Sequence, residues 1–223
     1  MTEMTDTYNL NELKKFIRQC KGHKYEVFYK MIIAYKISRF ELLNMKWSDI
    51  NLEKNTITIY PVEHWKEDNI GQNYKYKRKM TRLENLKREF PLLPHIKTLL
   101  MELKASQLEN SLSAENYDNS FSEYICLKEN GERLNANTLS RNIKYVARDS
   151  GIKEVLLYGL KNSAEEFFIQ KANSMDYFRC WTRYDIYKYQ EKLYEKNYLL
   201  SKKHFVNELN KLVSLQNEKN IEM

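Results

Sequence analysis

Between Trp47 and Tyr60 the chain changes its hydrophobic period, and that change restricts it to a mixed fold. Upstream of it the apolar residues recur at helical spacing. Leu10, Leu13, Phe16 and Ile17 follow Asn9 or Asn11 as N-cap and run toward Gly22, a residue suited to a helix C-terminus. A second helix, roughly Tyr25–Tyr35, sets Val27, Phe28, Met31, Ile32 and Ala34 on one face. After a break near Ile37–Ser38 a third runs to about Met45. Trp47-Ser-Asp-Ile50 then leads through Asn51–Asn55 into the β-branched run Thr56-Ile-Thr-Ile-Tyr60, which alternates with period 2 and reads as a strand after a turn.

Downstream the two periods continue to interleave. Pro61–Leu86 is polar and basic and reads as an extended hairpin or loop. Glu89-Phe90-Pro91-Leu92 is a short strand exit, and Pro94 suits the first turn of a helix reaching Leu103. Ser106–Ser122 is rich in Ser and Asn and is expected as a surface loop. Tyr124–Leu127 reads as another short strand, with a turn at Glu129-Asn-Gly131. Asn137 or Thr138 then caps a helix carrying Leu139, Ile143 and Val146 and stopping at Gly151. Leu160–Lys171 is again amphipathic, and Ser201–Leu215 forms a last helix with Phe205, Leu209, Leu212 and Val213 on a stripe.

The 223 residues suffice for one sizeable core, and two large domains would fit tightly. With 5 Gly and 3 Pro, 30% charged and 42% hydrophobic residues, a folded and mostly helical protein is expected rather than a disordered one. Lys plus Arg exceed Asp plus Glu by 37 to 30, a formal charge of +7 that favours a polyanionic partner. A solvated Lys-rich surface would give the same excess, so charge alone decides little.

Cys20, Cys126 and Cys180 lie far apart without metal spacing, as do His23, His64, His95 and His204. Reduced thiols, no metal site and no cofactor are expected. Met1–Asn9 lacks the order of a signal peptide, and the apolar run near Met31–Tyr35 is too short to span a bilayer. A cytoplasmic protein without a membrane partner is therefore expected.

The element order, with Glu41-Leu-Leu-Asn-Met-Lys-Trp-Ser-Asp-Ile50 and the helix from Leu139 into Gly151-Ile152, resembles the catalytic domain of tyrosine recombinases, the phage integrase family. The resemblance covers about residues 9–200. It implies a mixed α+β, mostly helical fold with a small antiparallel sheet. It also implies that residues 1–8 form a flexible N-terminus, that no separate core-binding domain precedes residue 9, and that residues 201–223 form a C-terminal helix and tail.

The family's chemistry needs a tyrosine nucleophile and cationic donors on the scissile phosphate. Its first arginine falls on Ser38, with Arg39 adjacent. Its His-x-x-Arg motif falls on Tyr158-Gly-Leu-Lys161, where Lys161 keeps charge and loses the bidentate fork. Trp181 matches the position some nine residues before the nucleophile, which lands on Gln190, with Tyr189 one place earlier. Among 17 tyrosines a neighbouring tyrosine carries little weight. Ser38, Tyr158 and Gln190 are thus degenerate positions, while Arg39, Lys161, Trp181 and Tyr189 are candidate ligands, remnants or nucleophile.

For DNA contact, the basic hairpin offers Lys75, Lys77, Arg78, Lys79 and Arg82, continuing to Lys87 and Arg88. The helix with Arg141, Asn142 and Lys144 is a second candidate for reading base edges. The stripe Phe205–Val213 either closes the chain's own core or joins it to a second copy or a complete recombinase. Three readings follow: an inactive double-stranded-DNA-binding relative that modulates integration or recombination of a mobile element, an active recombinase using Tyr189, or a protein-interaction module that left DNA.

Overall fold

The computed structural model describes residues 7–66, 78–83, 86–164, 167 and 196–215. Within them the chain is mostly helical with a small antiparallel sheet. Helix α1 (Leu10–Gln19) begins at Asn9, whose side chain accepts from the Glu12 amide while Glu12 accepts from the Asn9 amide. This closed capping box satisfies two amides that have no partner within the helix. Leu13, Phe16 and Ile17 face inward, as their spacing predicts.

Every residue of α2 (Glu26–Tyr35) is buried, including Glu26 and Lys30. A helix enclosed on all sides must pair its charges internally. Lys30 Nζ donates to Glu26 Oε1 at 2.5 Å and lies 2.8 Å from His95 Nε2. The other Glu26 oxygen accepts the Gly22 amide at 2.6 Å, fixing the preceding turn, in which Gly22 has φ +76°. Burial, then Lys30, hold His95 below its ordinary value of 6.5, so the ring is neutral beside the ammonium.

Lys36 ends α2 in the left-handed region at φ 49°, an unusual conformation for a non-glycine residue. It produces the break expected near Ile37–Ser38. Ser38 then caps α3 (Arg39–Leu43), exchanging hydrogen bonds with Glu41 in a second capping box. A 3₁₀ turn at Trp47–Asp49 leads into β1 (Ile50–Asn51) and β2 (Thr56–Ile59).

Strand β2 sits between β1 and β5 (Arg88–Pro91), antiparallel to both, with Ile57 opposite Phe90 and both buried. Strands β3 (Val62–Lys66) and β4 (Arg78–Arg82) form a separate antiparallel hairpin from the Pro61–Leu86 segment. The expected strand at Tyr124–Leu127 is only two isolated bridges, Lys46 to Tyr124 and Leu127 to Arg133.

Helix α4 (Pro94–Ser113) continues ten residues past Leu103 and takes up the first half of the expected Ser106–Ser122 loop. Four hydrogen bonds hold the extension. Gln107 accepts from Trp47 Nε1 and donates to the Ile125 carbonyl, and the Ser111 and Ser113 hydroxyls bond back to Leu108 and Glu109 carbonyls. Helix α5 (Ala136–Asp149) is capped by Asn135, two residues before the expected Asn137, because Asn135 Oδ1 accepts the Asn137 amide.

Helix α6 (Leu157–Ser163) covers the described start of the Leu160–Lys171 segment, and the remainder of that segment lies outside the described residues except Ala164 and Phe167. Helix α7 (Lys196–Ser214) begins five residues before the expected Ser201. Its Phe205, Leu209, Leu212 and Val213 are all buried in the chain's own core. The stripe is therefore not an open face for a second copy or a recombinase. Helix α2 packs against α3, α4, α6 and α7, and α5 packs against α1, α3 and α6.

Arg88 Nη2 pairs with Glu41 Oε1 at 3.0 Å, their side chains 4% and 1% exposed. Arg88→Met would strand a buried carboxylate and should lower unfolding free energy by about 3–5 kcal/mol in urea titrations. Glu41→Gln added to Arg88→Met should recover part of that loss. The depressed His95 value has its own pH signature. Its contribution is present above 6.5 and falls away as pH drops through the folded value, where the unfolded chain binds the proton more readily. Wild-type stability should therefore decline more steeply on acidification than that of His95→Gln, measured by the urea midpoint across that range.

Candidate nucleic-acid interface

The candidate residues lie on three neighbouring elements, α5 itself and α3 and α6, each of which packs against it. At α3, Ser38 stands where the resemblance expects arginine. Its hydroxyl accepts the Glu41 amide at 3.3 Å, and its own amide donates to Glu41 Oε2 at 2.7 Å. Serine is among the residues best suited to this cap, and it brings no positive charge. Arg39, one residue on, is exposed at the first helical position with its guanidinium 4.5 Å from the Phe40 ring centroid.

On α6, Tyr158 is 58% exposed, and Lys161 is half-buried with its ammonium 5.8 Å from the Tyr158 ring centroid. The pair presents one cation and one phenol at the His-x-x-Arg position. Trp181, Tyr189 and Gln190 lie outside the described residues, as do Lys75 and Lys77.

Helix α5 buries Leu139, Ile143, Val146 and Ala147 and turns Asn137, Arg141, Lys144, Tyr145 and Arg148 to solvent. The polar residues fall three, four and seven apart, so they share one face. Lys144 and Arg148 lie 3.5 and 3.2 Å from the two carboxylate oxygens of Glu154. The Arg148 hydrogen bond is the main cause holding Glu154 below its ordinary value. Arg141 is exposed without an ion pair among the described residues. Asn142, proposed from sequence as a base reader, donates instead to the Thr138 carbonyl one turn earlier.

The hairpin residues divide sharply. Arg78 and Lys79 lie in β4, paired with Lys66 and Trp65. Arg82 reaches back into the fold, with Nη2 2.7 Å from Asp49 Oδ1 and its guanidinium 4.0 Å from the Tyr60 ring centroid. Lys87 is exposed. Arg88 must be withdrawn from the DNA-contact set, because it is buried against Glu41.

Two cations escaped the sequence reading. Arg133 stacks 3.9 Å from the Tyr124 centroid and donates to the Leu43 carbonyl and Asn44 Oδ1. Arg148 was legible, since it continues the 141, 144 spacing by one turn. Arg133 was not, because its hydrogen-bond acceptors, Leu43 and Asn44, lie 90 and 89 positions away in sequence.

Among the described residues no three His, Cys, Asp or Glu side chains gather as a metal site. Burial pushes the Cys20 thiol up to about 12, and the Cys126 thiol is also raised, so neither offers a thiolate near neutral pH. No described helix is long and apolar enough to cross a membrane.

No protein-family model matches the sequence. A protein of Caldanaerobacter subterraneus subsp. tengcongensis described as tyrosine recombinase XerC-like is 24% identical over 152 residues, which are 66% of this chain and 39% of that protein. The chain thus spans well under half the length of this relative. The Tn1549 transposon integrase in complex with a circular intermediate DNA superposes with a TM-score of 0.60 at 9% identity, over 91% of this chain and 66% of that one. The lambda integrase catalytic core superposes with a TM-score of 0.50 at 14% identity, over 79% of this chain and 90% of that one. The fold is that of the tyrosine-recombinase catalytic domain, and the sequence resembles tyrosine recombinases.

The capping geometry of Ser38 gives a direct test of its role. Ser38→Ala should lower unfolding free energy by about 1 kcal/mol, the usual loss for a removed N-cap. Ser38→Asn should cost far less, read by thermal or urea unfolding of both variants.

Proposed function

We propose that this chain binds double-stranded DNA through the recombinase fold and does not cleave it, acting in or modulating integration or recombination of a mobile element. The observation that carries the reading is the combination of an outward basic face on α5 with a helix cap at the first-arginine position. The two features bear on separate steps.

A helix fits the major groove, where arginine and asparagine side chains can reach base edges. Arg141 and Asn137 are the groups on α5 best placed to do so, with Lys144 and Arg148 toward the backbone phosphates. Because Glu154 offsets part of their charge, affinity rests on few phosphate contacts. Each contact contributes a salt dependence of roughly −0.9 in log K against log salt. Lys87, Arg78 and Lys79 are further candidates along the hairpin, and Lys75 and Lys77 fall in the same basic segment. Arg82 contributes chiefly by fixing the base of that hairpin to Asp49.

Cleavage asks more of the site. A pentacoordinate phosphoryl transition state needs fixed donors for the charge on its equatorial oxygens, and each lost donor costs roughly 2.7–4 kcal/mol. Ser38 has no cation to give, and its hydroxyl already accepts from the Glu41 amide. Lys161 is a point charge without the planar fork of arginine, and Tyr158 replaces the imidazole of the general acid–base histidine. Arg39 is the remaining nearby cation, displaced by one residue. The likeness to a transposon integrase supports a mobile-element setting, inside the cell where its DNA resides.

The test couples binding with trapping. Gel shifts on duplex flanking the gene should show binding that weakens with salt, and Arg141→Glu should reduce it at least tenfold at fixed salt. A nicked suicide substrate should yield no covalent adduct. An adduct that vanishes in Tyr189→Phe would restore the active-recombinase reading. Absence of binding at low salt would instead leave a protein-interaction module.

A further inference from the structure

Helix α4 carries apolar residues on two opposite faces, and only one is used within the chain. Ile96 and Leu100 are buried, with Leu99 and Leu103 packed beside them, where α4 meets α2 and α7. Almost opposite on the helix lie Thr98, Met101, Ala105, Leu108 and Leu112, all exposed. Met101, Leu108 and Leu112 are 53%, 61% and 81% exposed, and they include the two most exposed aliphatic side chains among the described residues except Leu156. Their spacing alternates four and three, the a/d repeat of a coiled-coil seam. Leu52, 37% exposed, lies beside the Lys97 edge, where its carbonyl accepts from Lys97 Nζ.

The residues flanking this seam identify its partner. One edge carries Lys97 and Lys104, the g positions of the repeat, whose ammonium groups in the single chain rest on the Leu52 carbonyl and Asn55 Oδ1 and near the Trp47 ring, and the other carries Glu102 and Glu109, the e positions. In a parallel, in-register pair, each g residue meets the e residue five places on in the opposite helix. Lys97 then faces Glu102 of the second copy, and Lys104 faces Glu109, with the same two pairs repeated by symmetry. An antiparallel pair would set lysine against lysine and glutamate against glutamate, which is unfavourable. The edges are thus complementary to themselves in one orientation.

The geometry points to α4 as a self-association surface that joins two copies of this chain as a short parallel coiled coil. The occupant is a second copy because the acidic edge of one α4 is matched by the basic edge of the same helix in another. Three large apolar side chains and an alanine per copy cover only part of the roughly 800 Å² per partner typical of stable complexes. Association is therefore weak and concentration-dependent in free solution. It stands apart from DNA binding, since α4 and α5 are different surfaces and neither DNA nor α5 enters the test.

Sedimentation velocity of the full chain without DNA, through the micromolar range, should show average mass rising from monomer toward dimer. Leu108→Glu should abolish the rise, and Glu109→Lys should weaken it. Both positions are exposed, so far-ultraviolet circular dichroism and melting should match wild type. Leu112→Cys reads the orientation, since it lies near the end of the seam and meets its own copy only in a parallel pair. Mild oxidation should give a disulfide-linked dimer well above the wild-type background. A strictly monomeric wild type, a dimer indifferent to Leu108→Glu, or no gain of cross-linking in Leu112→Cys would each overturn the inference.

Discussion

The enclosure of α2 is the constraint from which the rest of the structure follows. A helix with every residue buried contributes no solvated face, so each neighbour must present an apolar surface to it and each charge it carries must find a partner inside. Lys30 and Glu26 meet one turn apart, His95 arrives from the start of α4, and the His95 amide is in turn held by Asn210 of α7 at 3.0 Å. One buried ion pair thereby links the second helix to the fourth and the last. Tyr35 performs the same service at the other end, accepting the Leu93 amide at 2.9 Å and donating to the Pro91 carbonyl at 3.2 Å. The small sheet and the long α4 are thus joined to α2 through polar contacts that water cannot compete for.

Glu41 is the second junction, and it bears on function. One carboxylate oxygen completes the cap on Ser38 and the other holds Arg88 in the interior. The start of α3 is therefore tied to β5 by one buried carboxylate. That arrangement favours a small cap-forming side chain at position 38, and a serine there is a good helix start at the expense of a cation. Under the proposed reading fold and chemistry pull apart at this residue: where the resemblance expects a phosphate-binding arginine, the local backbone accommodates a serine cap well.

Helix α1 and strand β2 were legible because each buries a single face, so period and boundary signals point to the same answer, whereas α2, buried on every side, was legible from its apolar run. The second half of α4 was hidden for the opposite reason. With apolar residues on two faces and serines between them, it shows no one-sided pattern, and its polar content imitates a loop. Arg88 was misread because a run of basic residues looks uniform in sequence, while Glu41, its partner, lies 47 positions away. The helical spacing of Arg141, Lys144 and Arg148 needed no distant partner, which is why the α5 face could be anticipated in large part and the Arg133 hydrogen bonds to Leu43 and Asn44 could not.

These differences in legibility separate two uses of positive charge. Arg82, Arg88 and Arg133 each stack on or approach an aromatic ring and bond to fixed acceptors in the fold. Arginine suits such sites, because its planar, weakly hydrated head tolerates partial burial. The cations of α5, by contrast, remain at the surface, where Lys144 and Arg148 share one exposed carboxylate and can exchange it for phosphate at little desolvation cost. The net charge of +7 counts these internal ion pairs as zero and does not say where on the fold the excess lies. For the proposed DNA contact what matters is where the excess lies, and on α5 it lies with Arg141, outside the ion pairs that Lys144 and Arg148 make with Glu154.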